Sequence, residues 1–268
     1  MKIGFIGVGN MARAIILGIL RAKQVTPAEI IVHSQHKESY EPFAREHGLT
    51  AVVSNQEVAT ISDYLFIAVK PDVVAEVLAE ISATIAQKEV VVISMAAGIS
   101  LAELAKESPR QTAIMRIMPN VNVANNSGVT AFVANEFVKP VQLQQIQELL
   151  GQLGTVLEIS EVDFTTFSAL AGSAPAFVYL FIDALARAGV KHGLTKPLAT
   201  KIAAQTVLGS ATNVLASSES PWDLIDQVSS PGGTTVAGLL AMEEAGLMSA
   251  VVKGVDATIA RDLENQED

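Results

Sequence analysis

Cysteine is absent from the 268 residues. Disulfides and thiolate-bound metals are therefore excluded, and a reducing compartment fits. Aromatic residues are scarce, at 5%, although hydrophobic residues make up 50%. The core must then be built mainly from Ala, Val, Leu and Ile. Charge is also thin: 17% of residues are charged, against a usual share of about 25%. A chain with so little polar surface is expected to bury part of its apolar excess against another subunit. Positive charge is outnumbered, with 18 Lys and Arg against 28 Asp and Glu. A formal net charge of −10 argues against a general surface for nucleic acid or anionic membrane. Any anionic ligand needs a local seat.

Two stretches imitate membrane or targeting signals. MKIGFIGVGNMARAIILGIL has an early lysine and an apolar run, but Gly7, Gly9, Asn10 and Arg13 break it. Phe164 to Ile182 is uncharged and long enough to span a bilayer. Thr165, Thr166, Ser168, Gly172, Ser173 and Pro175 argue against a spanning helix there. The expectation is a soluble cytoplasmic protein.

What is present alternates in the first half. KIGFI (2–6), EIIVHS (29–34), YLFIAV (64–69), EVVVIS (89–94) and TAIMRI (112–117) are continuous apolar runs. Such runs suit parallel strands buried on both faces. Helical spacing lies between them, at 11–21 and from Asp72 to Ala79, and again at 142–150 between the late strands 129–133 and 156–159. From about Glu161 the texture changes to helical blocks: 164–171, 176–191, 197–216, 221–227, 235–244 and 249–263. The expectation is a doubly wound α/β domain over 1–160 and an all-helical domain over 161–268.

Gly7-Val8-Gly9-Asn10-Met11-Ala12 follows the first strand and opens the first helix. This is the G-x-G-x-x-G/A pattern in the context that gives it meaning. Gly7 permits the tight turn, Gly9 leaves room for a pyrophosphate, and Ala12 lets helix and strand lie close. The free N–H groups of the helix start then attract phosphate. After the second strand come His33-Ser34-Gln35-His36-Lys37, with no acid before Glu38. An acid there would hold the ribose hydroxyls of NAD; the hydroxyl of Ser34 with His36 and Lys37 suits a 2′-phosphate, although the segment taken alone reads as well as a solvated loop. NADPH is preferred, NADH is possible, and no metal is called for. Lys70 has two even readings, a contact to nicotinamide ribose or phosphate, or an ordinary exposed lysine.

The second half offers the substrate seat. SSPGGTTVAGL (229–239) interrupts apolar helix with turn residues. Pro231-Gly232 is tight-turn chemistry, and Gly232-Gly233 allows close ligand approach. Thr234 and Thr235 are placed to cap the next helix, whose N–H groups attract a carboxylate. Hydroxyls of Ser230, Thr234 and Thr235 suit a carboxylate oxygen or a ring nitrogen. The helix after Gly172-Ser173-Ala174-Pro175 carries no lysine on its first turns, where β-hydroxyacid dehydrogenases of similar architecture keep a catalytic one. That favours an imine, which needs less acid–base help.

FIGVGNMARAI, SDYLFIAVKP, VVISMAAG, LAGSAPAF and VSSPGGTTVAGL, in that order over nearly the whole chain, resemble the pyrroline-5-carboxylate reductase family. The resemblance implies a Rossmann domain, a helical dimerisation domain, and possible assembly of dimers into a larger ring. It implies NAD(P)H-dependent reduction of 1-pyrroline-5-carboxylate to L-proline, the last step of proline synthesis. By position, Ile6, Gly7, Val8, Gly9, Asn10, Met11, Ser34, Asn55, Ala68, Val69, Lys70, Pro71, Met95, Ala96 and Ala97 match cofactor-contacting segments. Ser230, Gly233, Thr234 and Thr235 match the substrate loop, with Thr235 implied as the catalytic contact to the imine nitrogen. Glu219 matches a substrate-side glutamate more loosely. Ala174 departs from the glycine common at its position. Other classes left in view are a related imine or β-hydroxyacid reductase and a non-catalytic NADP-binding regulator.

Overall fold

The computed structural model describes residues 1–267. The chain divides into two compact units, Met1–Gly172 and a second that begins at Ser173. Asp268, the last residue of the expected helical domain, lies outside the described residues.

The first unit is built on one sheet of β1 (Ile3–Ile6), β2 (Ile30–His33), β3 (Thr50–Ala51), β4 (Tyr64–Ile67), β5 (Val91–Ser94), β6 (Ala113–Pro119), β7 (Gly128–Ala134) and β8 (Gly154–Glu158). Their order is β3-β2-β1-β4-β5-β6-β7-β8. Only the β6–β7 pairing is antiparallel. The chain winds one way from β1 to β3 and the other way from β4, so the switch point lies between β1 and β4, where such sheets bind ligands. Its helices are α1 (Asn10–Ala22), α2 (Lys37–His47), α3 (Asn55–Ile61), α4 (Val74–Ile85), α5 (Leu101–Lys106), α6 (Pro140–Gly151) and α7 (Phe164–Phe167).

The unbroken apolar runs follow from a sheet covered on both faces. On β4, Tyr64 and Phe66 enter one core with Phe5, Ile15 and Ile16. Leu65 and Ile67 enter the other with Val58, Leu78 and Ile81. The rings of Phe5 and Phe66 stack at 4.7 Å across adjacent strands. The sequence pattern did not announce α2, α3, α5 or the two-residue β3. These are short, and α2 is polar with Pro42 inside it.

The block expected as one helix over 164–171 is divided. After α7, residues Ser168–Ser173 wind as a π-helix. Pro175 has no N–H to offer the carbonyl of Ala171, four residues earlier, and its ring crowds that carbonyl. The wider turn accommodates the proline, and the buried Asn120 amide donates to the freed Ala171 oxygen at 3.1 Å. Glu161–Lys191 has the length and mean hydropathy of a membrane span, although only by length and composition. The π-helical turn falls inside it.

The second unit contains α8 (Ala174–Lys191), α9 (Lys196–Ala216), α10 (Pro221–Gln227), α11 (Thr234–Glu244) and α12 (Leu247–Glu267). No strand occurs among its described residues, as its sequence pattern anticipates. α8 and α9 approach closely through small residues: a Cβ added at Gly189 would stand 3.1 Å from that of Ala199. The buried cluster is correspondingly slight, Ala186, Ala199 and Ala203 with Ile182 against them. Asp183 ties the pair together, accepting bonds from Lys196 and Arg187. These bonds, that from Lys196 first, hold its carboxyl below the usual aspartate range. Phe177, Tyr179, Leu180, Phe181, Leu198, Ile202, Leu208 and Leu215 remain exposed.

Candidate functional site

The turn from β1 to α1 is shaped by two glycines with different duties. Gly7 has φ 93°, and a Cβ there would stand 2.5 Å from the Ala68 carbonyl oxygen. Only glycine lets the turn lie against the end of β4. Gly9 is the N-cap of α1, extended and without any side-chain cap bond. A Cβ at Gly9 would meet nothing within 4 Å, so the space above it is open. The N–H groups of Asn10, Met11 and Ala12 have no acceptor inside the helix, and no acid stands in the first turn. Ala12 is buried against the sheet. Open space, free donors and the positive end of a helix dipole together fit a pyrophosphate.

The loop after β2 carries Ser34, and His36 is the N-cap of α2 with no side-chain cap bond. Lys37 occupies the first helical position, where a cation opposes the helix dipole. Both side chains are exposed, with His36 Nδ1 3.6 Å from a Glu38 carboxylate oxygen. A nearby anionic ligand would turn this unfavourable placement into a favourable one. Asn55 opens α3 behind the capping Ser54. Its amide nitrogen donates to the Glu80 carboxylate, so its oxygen faces His33 Nδ1 at 2.8 Å. His33 therefore carries its proton on Nδ1 and keeps Nε2 for another partner.

At the ends of β4 and β5, Ala68 and Val69 are half-buried and Lys70 is exposed and extended. Pro71 opens a short 3-10 turn into α4. Met95, Ala96 and Ala97 follow β5, with the Ala96 N–H donating to the buried Ser94 hydroxyl at 3.3 Å. The sequence offered no signal for His33, Glu80 and Ser94 as supports of these segments. Their bonds join residues far apart in the chain or run to backbone groups.

In the second unit, the Gly233 N–H donates to the Ser230 carbonyl at 2.9 Å. Pro231 and Gly232, whose φ is 70°, fill the two central positions of a type II turn. A Cβ on Gly233 would stand 2.5 Å from the Ser230 hydroxyl oxygen. That hydroxyl thus sits close over the helix start. The expected capping by Thr234 and Thr235 is corrected: Gly233 is the N-cap of α11, and no side chain caps it. The tight turn brings the chain into the helix one residue earlier, so both threonines are helical. Their hydroxyls are left out of capping. The N–H groups of Thr234, Thr235 and Val236 lack helical acceptors, and no acid occupies the first turn. Ser229 has a buried hydroxyl without a hydrogen-bond partner among the described residues. Glu219, just before α10, accepts a bond from Gln227 at the end of that helix, ahead of this loop. Among the described residues, no group of His, Asp and Glu is arranged to hold a metal ion.

Comparison with known proteins gives two family matches. Residues 161–265 match the model described as pyrroline-5-carboxylate reductase dimerisation. Residues 2–98 match the one described as NADP oxidoreductase, coenzyme F420-dependent. The chain is 38% identical to the pyrroline-5-carboxylate reductase of Escherichia coli (strain K12), over 95% of this chain and 94% of that protein. It is 42% identical to the solved 1-pyrroline-5-carboxylate reductase of Streptococcus pyogenes, with 98% of each chain covered and a TM-score of 0.85. The Plasmodium falciparum pyrroline carboxylate reductase, solved with NADP bound, shares 29% identity over 98% of this chain and 97% of its own, with a TM-score of 0.86.

Proposed function

The chain belongs to the pyrroline-5-carboxylate reductase family, and from that premise we propose that it reduces 1-pyrroline-5-carboxylate to L-proline, with NADPH preferred over NADH. The observation that carries this reading is the Ser230–Thr235 loop. It contains no cation, yet it presents a type II turn, an uncapped helix start and spare hydroxyls. A carboxylate is the ligand such donors suit in a chain of net charge −10.

The nicotinamide cofactor supplies the hydride. The first unit binds it: Gly7, Gly9 and the start of α1 take the pyrophosphate, and Ser34, His36 and Lys37 take the 2′-phosphate. Ile6, Val8, Asn10, Met11, Asn55, Ala68, Val69, Lys70, Pro71, Met95, Ala96 and Ala97 would complete its contacts. The second unit binds the substrate: Ser230, Gly233 and Thr234 orient its carboxylate, and Thr235 bonds the ring nitrogen. That nitrogen enters as a protonated iminium and leaves as an amine, so no side chain need take a proton from a hydroxyl. Glu219 acts on the substrate side by fixing α10 at the entry to the loop.

The exposed apolar helices of the second unit support self-association as a dimer, the building block of a larger assembly. Absence of cysteine supports a cytoplasmic setting. The test is steady-state oxidation of NADPH and NADH with pyrroline-5-carboxylate, beside 2-oxo acids and other cyclic imines. Rapid turnover confined to cyclic imino acids, faster with NADPH, is expected. Comparable turnover of a 2-oxo acid would overturn the assignment.

A further inference from the structure

Arg13 stands in the first turn of α1, directly behind the glycine motif, where an arginine reads as an ordinary solvated side chain. Its bonds are more specific than that. Nε donates to the Val8 carbonyl at 3.1 Å, inside the glycine loop. Nη2 donates to the Ser39 carbonyl at 2.7 Å and to the Ser39 hydroxyl at 3.1 Å, in the first turn of α2. The guanidinium lies 4.9 Å from the centre of the Phe43 ring, one turn further along α2. The Ser39 N–H in turn donates to the His36 carbonyl at 3.0 Å. One side chain thus links the loop assigned to the pyrophosphate with the segment assigned to the 2′-phosphate.

We propose that Arg13 is a positioning residue that straps the segment Ser34–Ser39 to the glycine loop and thereby sets the preference for a 2′-phosphate. The inference rests on the NADPH reading above. Its two ends are not equally in need of support. The glycine loop is already fixed, because α1 buries Ala12, Ile15, Ile16 and Ile19 and Gly7 abuts β4. The start of α2 has no such anchor: His36, Lys37, Glu38 and Ser39 are all exposed, and burial begins at Tyr40. His36 makes no side-chain cap bond. Loss of the strap should therefore loosen the 2′-phosphate side and spare the pyrophosphate side. The partners described here, two carbonyls, a hydroxyl and an aromatic face, leave the guanidinium charge unneutralised. That charge adds to Lys37 in drawing an anion to this end of the site.

The test is calorimetric titration of the whole protein with 2′,5′-ADP and with 5′-AMP, which differ by the phosphate in question. The parent, Arg13→Met and Arg13→Lys are compared, with thermal melts alongside. Methionine keeps the apolar stem and loses every donor. It should weaken 2′,5′-ADP by about tenfold while 5′-AMP changes by less than about twofold. Lysine keeps the charge but cannot reach Val8 and Ser39 together, so an intermediate loss of about threefold is expected. If Arg13→Met fails to fold, the lysine variant decides alone, and an unchanged 2′,5′-ADP affinity in it overturns the strap. Equal weakening of both ligands would show a purely structural arginine. A parent that binds 2′,5′-ADP no better than 5′-AMP would remove the NADPH reading itself, and the strap with it. A discriminating parent with equally discriminating variants would remove only the strap.

Discussion

In the first unit Phe5, Ile15, Phe66 and Ile93 are wholly buried, whereas in the second Leu180 and Leu215 are 70% and 83% exposed. The contrast follows from architecture. A sheet with helices on both faces closes its own cores, one on each side. Helices alone must bury their apolar sides against one another, and here α9 and α11 bear apolar residues around much of their circumference. A helix apolar on all sides is one that is covered from all sides. The three buried alanines of the second unit are far too little core for a free-standing domain. Its missing core is expected from a second copy of the chain. The first unit closes its own cores, and the dimer proposed above would close that of the second.

The sharpest way to break this contrast is to charge the open face. Leu180→Glu should abolish dimerisation and activity, since an unpaired charge in an apolar interface costs several kcal/mol. Val53→Glu, at a position 63% exposed in the first unit, should do neither. Sedimentation velocity separates the two outcomes. NADPH binding by the Leu180→Glu protein should survive, because its first unit has its own cores.

The glycines of the two units should differ in the same sense. Gly7→Val places a branched side chain at φ 93° against the Ala68 carbonyl and should weaken NADPH by about a hundredfold or more, read by fluorescence titration. Gly232→Ala, at φ 70° but in open space, should cost only about 1 kcal/mol in a thermal melt. A smaller effect belongs to the substrate loop. Thr235→Ala, at a position exposed in the free chain, should lower kcat/KM by about tenfold to a hundredfold, the loss of one bond that bound substrate would shield from water, with NADPH affinity and dimerisation kept. Thr235→Ser should keep most activity. An unimpaired Thr235→Ala would leave the loop acting through its backbone N–H groups alone.

The smallest effect is electrostatic. The bonds from Lys196 and Arg187 hold Asp183 below its ordinary range. A group depressed on folding stabilises at pH above its unfolded pKa and loses that effect as pH falls through its folded one. The α8–α9 tie should thus weaken only in acid, and Asp183→Asn should flatten that dependence in melts of the whole protein. In the first unit Glu29, held down to about 2 chiefly by the Thr26 hydroxyl, should likewise lose its tie only in acid. Both groups are exposed, so both changes should be slight.

The same contrast explains what was legible in the sequence. Gly7–Ala12 and Pro231–Gly232 announced their turns because glycine and proline restrict the backbone locally. The apolar strands announced a sheet covered on both faces. The π-helical turn was hidden, since Pro175 acts on a carbonyl four residues away and Asn120 answers from just past β6, far off in the chain. α2 was hidden by its polarity and Pro42. The Arg13 strap was hidden because its main acceptors are backbone carbonyls, which every sequence has. The threonines were misread as caps because a cap and a first helical residue differ by one position, and the Ser230–Gly233 turn decides which it is.

The proposed reaction passes a hydride from NADPH to the imine carbon of a cyclic imino acid. It is tested most directly by following the label from NADPH deuterated at the transferable C4 position. Proline bearing one deuterium on the former imine carbon, C5 of the product, is expected for each NADPH consumed. Unlabelled product, or label delivered at a comparable rate into a 2-hydroxy acid from a 2-oxo acid, would contradict it.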